Sequence, residues 1–327
     1  MRGTLRDFSL SGLGPWRFAL LLVLWISTPL NAEDQDKTVA VLITSKESYQ
    51  SAAAAAVEQL KQSGYECELT TIFGDNTAAL HDALERIRNN RPRIIIAGGA
   101  GVTEEILARV PDVPVVFMMT PNALDCHFLL PSSPGLKRVA GVSSDPAPDA
   151  LIRWIHKTAP NSRKIAVLCS DNSKKTVMEL IDAARPLGVT IVPVTAQRDQ
   201  FPAAIDALNA EAYDGVLMVP DAQVYNAPNV ERLLLWGLRE KHPVWAFSDK
   251  LVKSGALAAA YCEPADVGKK AAALAERILK GEEPKDVGVQ HADSTKQAVN
   301  VRTAQMIGIT LAKEVLAPPV IRYGEGD

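Results

Sequence analysis

Short, unbroken apolar runs alternate with amphipathic helical stretches through most of this 327-residue chain, and that rhythm leaves few folds open. Residues 39–44 (VAVLIT) and 93–97 (RIIIA) are apolar at almost every position. A strand of that kind has both faces covered, as in a parallel sheet between two helix layers. Residues 49–62 follow the first run as an Ala-rich helix closed by Gly64, and residues 66–73 alternate like a strand. Residues 77–88 set Leu80, Leu84 and Ile87 on one helical face. A helix over 102–110 opens with Glu104 and Glu105, acids suited to a helix N-terminus. Strands at 113–119 and 139–142 complete a first half.

The rhythm then restarts. Helices are predicted over 147–158, 174–186, 203–212 and 230–241, with strands at 164–169, 189–194, 215–219 and 243–247. Two such runs predict an α/β protein of two doubly wound parallel-sheet lobes. The end of the chain breaks the simple count: strand 256–261, helix 265–280 ended by Gly281, an extended piece at 287–291, strand 298–301, and a helix from Thr303. An economical packing returns the chain to the first lobe after Ala260 and to the second near Val299, which makes a multi-crossing hinge. The expected first lobe is 37–143 plus about 257–288. The second is 144–256 plus about 289–317, with 318–327 as a tail.

Residues 1–32 have a different character. Arg2, Arg6 and Arg17 precede an apolar run over 18–26, followed by Ser27-Thr28-Pro29-Leu30-Asn31-Ala32. Basic flank, short apolar core, helix breaker and small residue predict a secretory signal peptide cleaved near Ala32, with an uncleaved membrane anchor as the alternative. The run is shorter than the about 20 apolar residues a membrane span needs. No lipid-accepting Cys stands near Ala32, so the expected product is a soluble periplasmic protein with no stable membrane insertion after cleavage. The segment carries three Arg and one Asp, which leaves 32 basic and 37 acidic residues beyond it, about −5 in net charge. That balance offers no footprint for nucleic acid and no polybasic patch for anionic lipid.

Cys67, Cys126, Cys169 and Cys262 are even in number for an oxidising compartment, and four cysteines allow three pairings. None has metal-ligand spacing, and three fall in or beside predicted buried strands where a free thiol is simply a small apolar group. Whether any pair forms stays open.

Ligands of open parallel sheets bind at the carboxyl ends of the strands, where loops lead into helix N-termini. The loops here are Thr44-Ser45-Lys46-Glu47-Ser48-Tyr49, Gly98-Gly99-Ala100-Gly101 and Thr120-Pro121-Asn122 in the first half. The second half has Ser170-Asp171-Asn172-Ser173, Pro220-Asp221 with nearby Tyr225, and Ser248-Asp249. Hydroxyls, amides and free backbone N–H groups at helix starts suit a small polar or anionic ligand, although Ser, Asn and Asp there also cap helices. Candidate ligand-binding residues are therefore Ser45, Tyr49, Gly99, Ala100, Thr120, Pro121, Ser170, Asn172, Asp221, Tyr225 and Asp249. Among these loops Lys46 is the exceptional cation, which disfavours a multiply charged anion against a zwitterion or neutral compound. Trp245, Phe247 and Tyr261 lie near strand ends where aromatics stack on ligands or pack the hinge.

Chemistry beyond binding finds little support. Gly98–Gly101 lacks both the G-x-G-x-x-G spacing and the acid ending the next strand, so no dinucleotide or other cofactor is expected. There is no G-x-S-x-G, H-E-x-x-H or P-loop, and the five histidines are scattered. No catalytic residue, metal site or enzymatic activity is expected. An exported hydrolase is the remote alternative.

An ordered set of segments carries a family resemblance. It includes Gly141-Val142-Ser143, Thr158-Ala159-Pro160, the stretch from Gly215 to Pro220-Asp221, and Gly255-Ala256-Leu257. Gly268 with Ile278-Leu279-Lys280-Gly281, Val299-Asn300 and Ile307-Gly308-Ile309 complete it. Over residues 37–317 the chain resembles the substrate-binding proteins of ABC transporters, nearest the branch of tryptophan and tyrosine binders. The resemblance implies the periplasmic-binding-protein type I-like fold, three hinge crossings, and a cleft that closes on a small molecule, expected to be a small polar or carboxylate-bearing, amino-acid-like ligand for an ABC permease. A ligand-sensing module feeding a signalling receptor is the alternative. The chain departs from that branch at Leu136-Lys137-Arg138-Val139-Ala140, before the first hinge, and at Thr120-Pro121-Asn122-Ala123, where the branch has Asp-Pro.

Overall fold

The computed structural model describes residues 38–74 and 76–325, so the expected signal peptide at 1–32 lies outside the described residues. The first sheet takes β1 (Thr38–Thr44), β2 (Glu66–Ile72), β3 (Ile94–Gly98), β4 (Val115–Thr120) and β5 (Val139–Ser143). The second takes β6 (Lys164–Cys169), β7 (Thr190–Thr195), β8 (Gly215–Met218), β9 (Val244–Ala246) and β10 (Ala258–Tyr261). Late in the chain, β11 (Val289–His291) joins the first sheet, while β12 (Lys296–Asn300) and β13 (Ile321–Tyr323) join the second. The orders are β11-β5-β4-β3-β1-β2 and β13-β12-β10-β9-β8-β6-β7. Every pairing is parallel except β10 with β12.

The burial pattern explains these positions. β1 and β3 are covered on both faces and sit inside the first sheet, whereas β2 (ECELTTI) keeps three of its seven residues exposed and only one buried, and is the edge. Helices α1 (Glu47–Gln62), α2 (Thr77–Asn90) and α3 (Ala100–Arg109) cover the first sheet. Helices α4 (Pro148–Thr158), α5 (Lys174–Ala184), α6 (Phe201–Ala210), α7 (Ala227–Glu240) and the short α8 (Asp249–Lys253) belong to the second lobe.

Helix α9 (Pro264–Leu279) follows β10 but packs in the first lobe, its Val267, Ala271, Leu274 and Ile278 sharing a core with Val39, Val41 and Ala52. Gly268 makes that approach possible: a Cβ there would stand 1.9 Å from the Ala52 carbonyl oxygen. The chain thus crosses between lobes after β5, after β10 and after β11. Strand β10, expected in the first lobe, belongs to the second sheet, and β11, expected near the start of a second-lobe segment, belongs to the first. The exchange points therefore fall at about Cys262 and Ala292. The expected tail carries β13, which extends the second sheet beyond β12. All four cysteines are free.

Candidate functional site

The two sheets present the carboxyl ends of their strands to one another, and a cavity of about 870 Å³ lies between them. The loop opening α1 supplies Lys46, Ser48 and Tyr49, and the end of β4 supplies Met119 and Pro121. The first crossing contributes Ser144 and Asp145, and the other crossings contribute Cys262, Glu263 and His291. From the second lobe come Thr176 and Glu179 of α5, Phe247 and Ser248 ahead of α8, and Asp249 at its start. The size is that of pockets for small organic molecules.

Local backbone shapes this wall. Met119 and Asn122 both have positive φ, 56° and 47°, which for residues other than glycine is uncommon and concentrates at functional positions. The β4–β5 register shifts between Phe117 and Thr120 at the same place. Gly99, with φ of 89°, lets the Tyr49 ring lie against the β3–α3 loop; a Cβ there would be 2.8 Å from the Tyr49 hydroxyl. Lys46 Nζ lies 5.4 Å from the centre of the same ring.

The lobes touch beside the cavity. Asn122 Nδ2 donates to the Pro220 carbonyl of the other lobe, and the Asn122 N–H donates to Asp145 Oδ2 at 2.6 Å. Asp125 reaches the start of α5, accepting from the Lys175 N–H (2.8 Å), the Thr176 N–H (3.1 Å) and the Thr176 hydroxyl (3.3 Å). Lys175 Nζ returns a hydrogen bond to the Leu124 carbonyl at 2.8 Å. Ser173, at the N-cap of α5, makes no side-chain capping bond, so the first lobe caps a helix of the second.

Of the residues expected at the site, Tyr49, Pro121 and Asp249 line this cavity. Beyond the Asn122–Pro220 contact, Ala100, Pro121, Asn172, Asp221 and Tyr225 line an adjoining hollow of about 570 Å³. Ser170 and Asn172 border another of about 840 Å³ confined to the second lobe. Ser45 lines none of the three, and its N–H is spent on the Ile72 carbonyl. Thr120 is fully buried beneath the first crossing, where its carbonyl accepts from the Ser144 N–H.

Asp221 is saturated. Oδ2 accepts from the Ser170 N–H, Ser170 hydroxyl and Ser173 hydroxyl at 2.9, 2.8 and 2.6 Å, and Oδ1 from the Gln223 N–H at 2.9 Å. Tyr225 donates to the Leu168 carbonyl at 3.3 Å, and burial pushes its phenol well above the ordinary range. Both hold loops in place.

The sequence offered no signal for Asp145, Glu179 and Glu263 as wall residues, because the first two enter through tertiary contacts and the third through the crossing after β10. Asp145 accepts from the Asn122 N–H and, at 3.0 Å, from the Ser143 hydroxyl, both on Oδ2; its own carbonyl meets His291 Nδ1 at 2.9 Å. Burial raises the Asp145 carboxyl, with Glu179 adding to the rise and the Asn122 and Ser143 hydrogen bonds and His291 opposing it. Burial likewise raises Glu179. The thiols of Cys126 and Cys262 are each pushed up to about 12, chiefly by burial and then by neighbouring carboxylates; a thiol held protonated is a poor nucleophile. Arg138, at one departure from the tryptophan and tyrosine branch, spends its guanidinium on the Val113 and Leu107 carbonyls at 2.9 and 2.6 Å, outside the cavity lining.

Two parallel-sheet lobes, three crossings and a cavity between facing strand ends define a two-lobed, type I-like periplasmic-binding-protein fold. The sequence pattern of ABC transporter substrate binding proteins matches residues 38–321, and the chain belongs to that family. Direct comparison with curated proteins gives no match. Solved structures that resemble the chain include the ABC domain of Streptococcus pneumoniae in complex with L-Trp. It is 21% identical with a TM-score of 0.60, over 87% of this chain and 100% of that one. A conserved domain protein of Vibrio cholerae is 22% identical with a TM-score of 0.62, over 88% and 99%. A ligand-free, open substrate binding protein with adhesive properties from Clostridium difficile is 19% identical with a TM-score of 0.67, over 89% and 100%. At these identities the likeness is one of fold. Among the described residues no helix is long and apolar enough to cross a membrane.

Proposed function

We propose that this chain is an exported receptor that captures a small amine-bearing, amino-acid-like solute by closing its lobes, and presents the closed form to an ABC importer. The observation that carries the reading is the cavity itself. It lies between facing strand ends and draws its wall from both lobes and all three crossings, so a bound molecule touches groups that move relative to one another. Binding then favours the closed form by the ligand's differential affinity for it. The L-Trp held by the S. pneumoniae neighbour supports a ligand of that size. A partly apolar wall that includes Tyr49, Phe247 and Tyr261 suits an organic body more than a bare ion.

The test is small-angle scattering together with thermal shift on the chain lacking residues 1–32, against a library of amino acids, amines and carboxylates. One compound class is expected to raise the melting temperature and reduce the radius of gyration together. A library that yields neither response overturns the receptor reading.

A further inference from the structure

The charge on the cavity wall is lopsided by depth. Asp145, Glu179, Asp249 and Glu263 are half-buried in the wall, whereas its two lysines, Lys46 and Lys250, are exposed at the rim, and no arginine lines it. Among the described residues none of the four acids takes part in a salt bridge. Half-buried carboxylates outside salt bridges are costly, because burial disfavours the charged form; the hydrogen bonds to Asp145 and Asp249, and His291 on the same wall beside Asp145 and Glu179, offset part of that cost. Asp145 and Glu179 register that cost as carboxyls raised chiefly by burial, and Glu179 adds to the rise of Asp145. Rim lysines add little, since exposed ammonium groups stay hydrated and their pairs are weak.

Resting on the receptor reading of this cavity, we infer that its ligand carries a net positive charge: an organic ammonium whose cationic end meets Asp145 and Glu179 near the crossings, with Glu263 adding to the negative potential of the wall, and whose apolar body lies against Tyr49, Phe247 and Tyr261. A zwitterion brings one positive and one negative group. Its carboxylate has Lys46 and the uncapped start of α1 as partners at the rim, and that arrangement still leaves the interior carboxylates in excess. Aromatic faces at the same wall reinforce the preference, because ring quadrupoles attract ammonium groups. A compact metal ion does not meet the need. Among the described residues no three His, Cys, Asp or Glu side chains converge closely enough to hold one. The acids are spread out, as an extended organic cation requires.

Matched pairs that differ by one carboxylate separate the possibilities. Calorimetric titration of the chain lacking residues 1–32 compares tryptophan with tryptamine, tyrosine with tyramine, lysine with cadaverine and arginine with agmatine. In at least one pair the amine is expected to bind about tenfold or more tighter than its parent, the effect of removing one carboxylate that an acidic wall repels. The Glu179 side chain makes no hydrogen bond among the described residues, so Glu179→Gln leaves no partner stranded; that variant or Glu263→Gln is expected to weaken the amine by about tenfold while the melting temperature does not fall. Millimolar calcium or magnesium is expected not to compete. If tryptophan or tyrosine, the net-neutral parents, binds tighter than every cation of the set, the net-charge inference falls and the receptor reading stands. If the amine wins but neither variant weakens it, the inference also falls. Binding of a neutral or anionic member of the wider library, with all eight compounds silent, overturns the net-charge inference alone, and failure of that whole library overturns both.

Discussion

Removing the Asp125 carboxylate is expected to open the unliganded molecule. Asp125 belongs to the first lobe but accepts two main-chain N–H groups from the first turn of α5, and the Thr176 hydroxyl, in the second. Loss of a side-chain cap costs about 0.5–2 kcal/mol. In most helices that cost falls on folding; here it falls on closure, because in an open form water serves the same N–H groups. Asp125→Ala therefore lowers the closed-to-open ratio by about 2- to 30-fold. If the unliganded chain is mainly open, the apparent affinity for a closing ligand falls by the same factor. Asp125→Asn keeps one acceptor oxygen and is expected to lie between. Small-angle scattering of the unliganded proteins reads the opening, and calorimetry reads the affinity. An Asp125→Ala protein with unchanged radius of gyration, affinity and melting temperature would refute the assignment of this contact as a latch.

Gly268→Ala places a methyl 1.9 Å from the Ala52 carbonyl oxygen and 2.9 Å from its Cα, both backbone atoms. It is expected to cost at least the about 1–3 kcal/mol of ordinary overpacking, and a melting temperature within a degree of the wild type contradicts the close approach of α1 and α9. Asp221→Ala strands four donors on two loops and is expected to cost about 2–4 kcal/mol, measured by urea unfolding; a loss below about 0.5 kcal/mol excludes the bracing role. The raised carboxyls of Asp145 and Glu179 set a pH dependence. Acids raised in the fold hold protons more tightly than in the unfolded chain, so their contribution to stability grows as pH falls through the raised values toward the ordinary value near about 4 and is lost as pH rises. The stability gained by Asp145→Asn with Glu179→Gln is therefore expected to be largest near neutrality and to shrink toward pH 4; a gain that is flat across that range contradicts the assignment.

The alternation of apolar runs and amphipathic helices made the two sheets legible, because burial of a parallel strand on both faces writes itself into every residue, as in β1 and β3. What distance in the chain separates was harder to read. Ala258–Tyr261 and Val289–His291 are short and apolar or mixed, and nothing local says which sheet each joins. Tertiary pairing decides it: β10 lies beside β9 and β12, and β11 beside β5. The same limit applies to the site. Loops at strand ends announce themselves by Ser, Gly and Asp, and Tyr49, Pro121 and Asp249 follow from that rule. Asp221 and Ser170 carry the same signature, yet their polar atoms satisfy one another. Glu179 sits within a helix whose face toward the cleft is set only when the lobes meet, and no spacing in the sequence distinguishes it from a solvated acid.

The crossings also fix an order of assembly. A ribosome delivers β1 to β5 and α1 to α3 early, but the first lobe lacks α9 and β11 until residue 291 has been made, and Ser63 waits for Glu276, 213 positions later. The second lobe in turn waits for β13 at residues 321–323. The buried residues on one face of the first sheet all lie within 40–139, but the face covered by α9 and the second lobe's core do not close until the chain is almost complete, and contacts of such long separation form slowly because the intervening loop must be ordered first. A polypeptide built this way stays loose while it emerges, which is the condition a chain needs if it is to be threaded through a narrow export channel and folded on the far side.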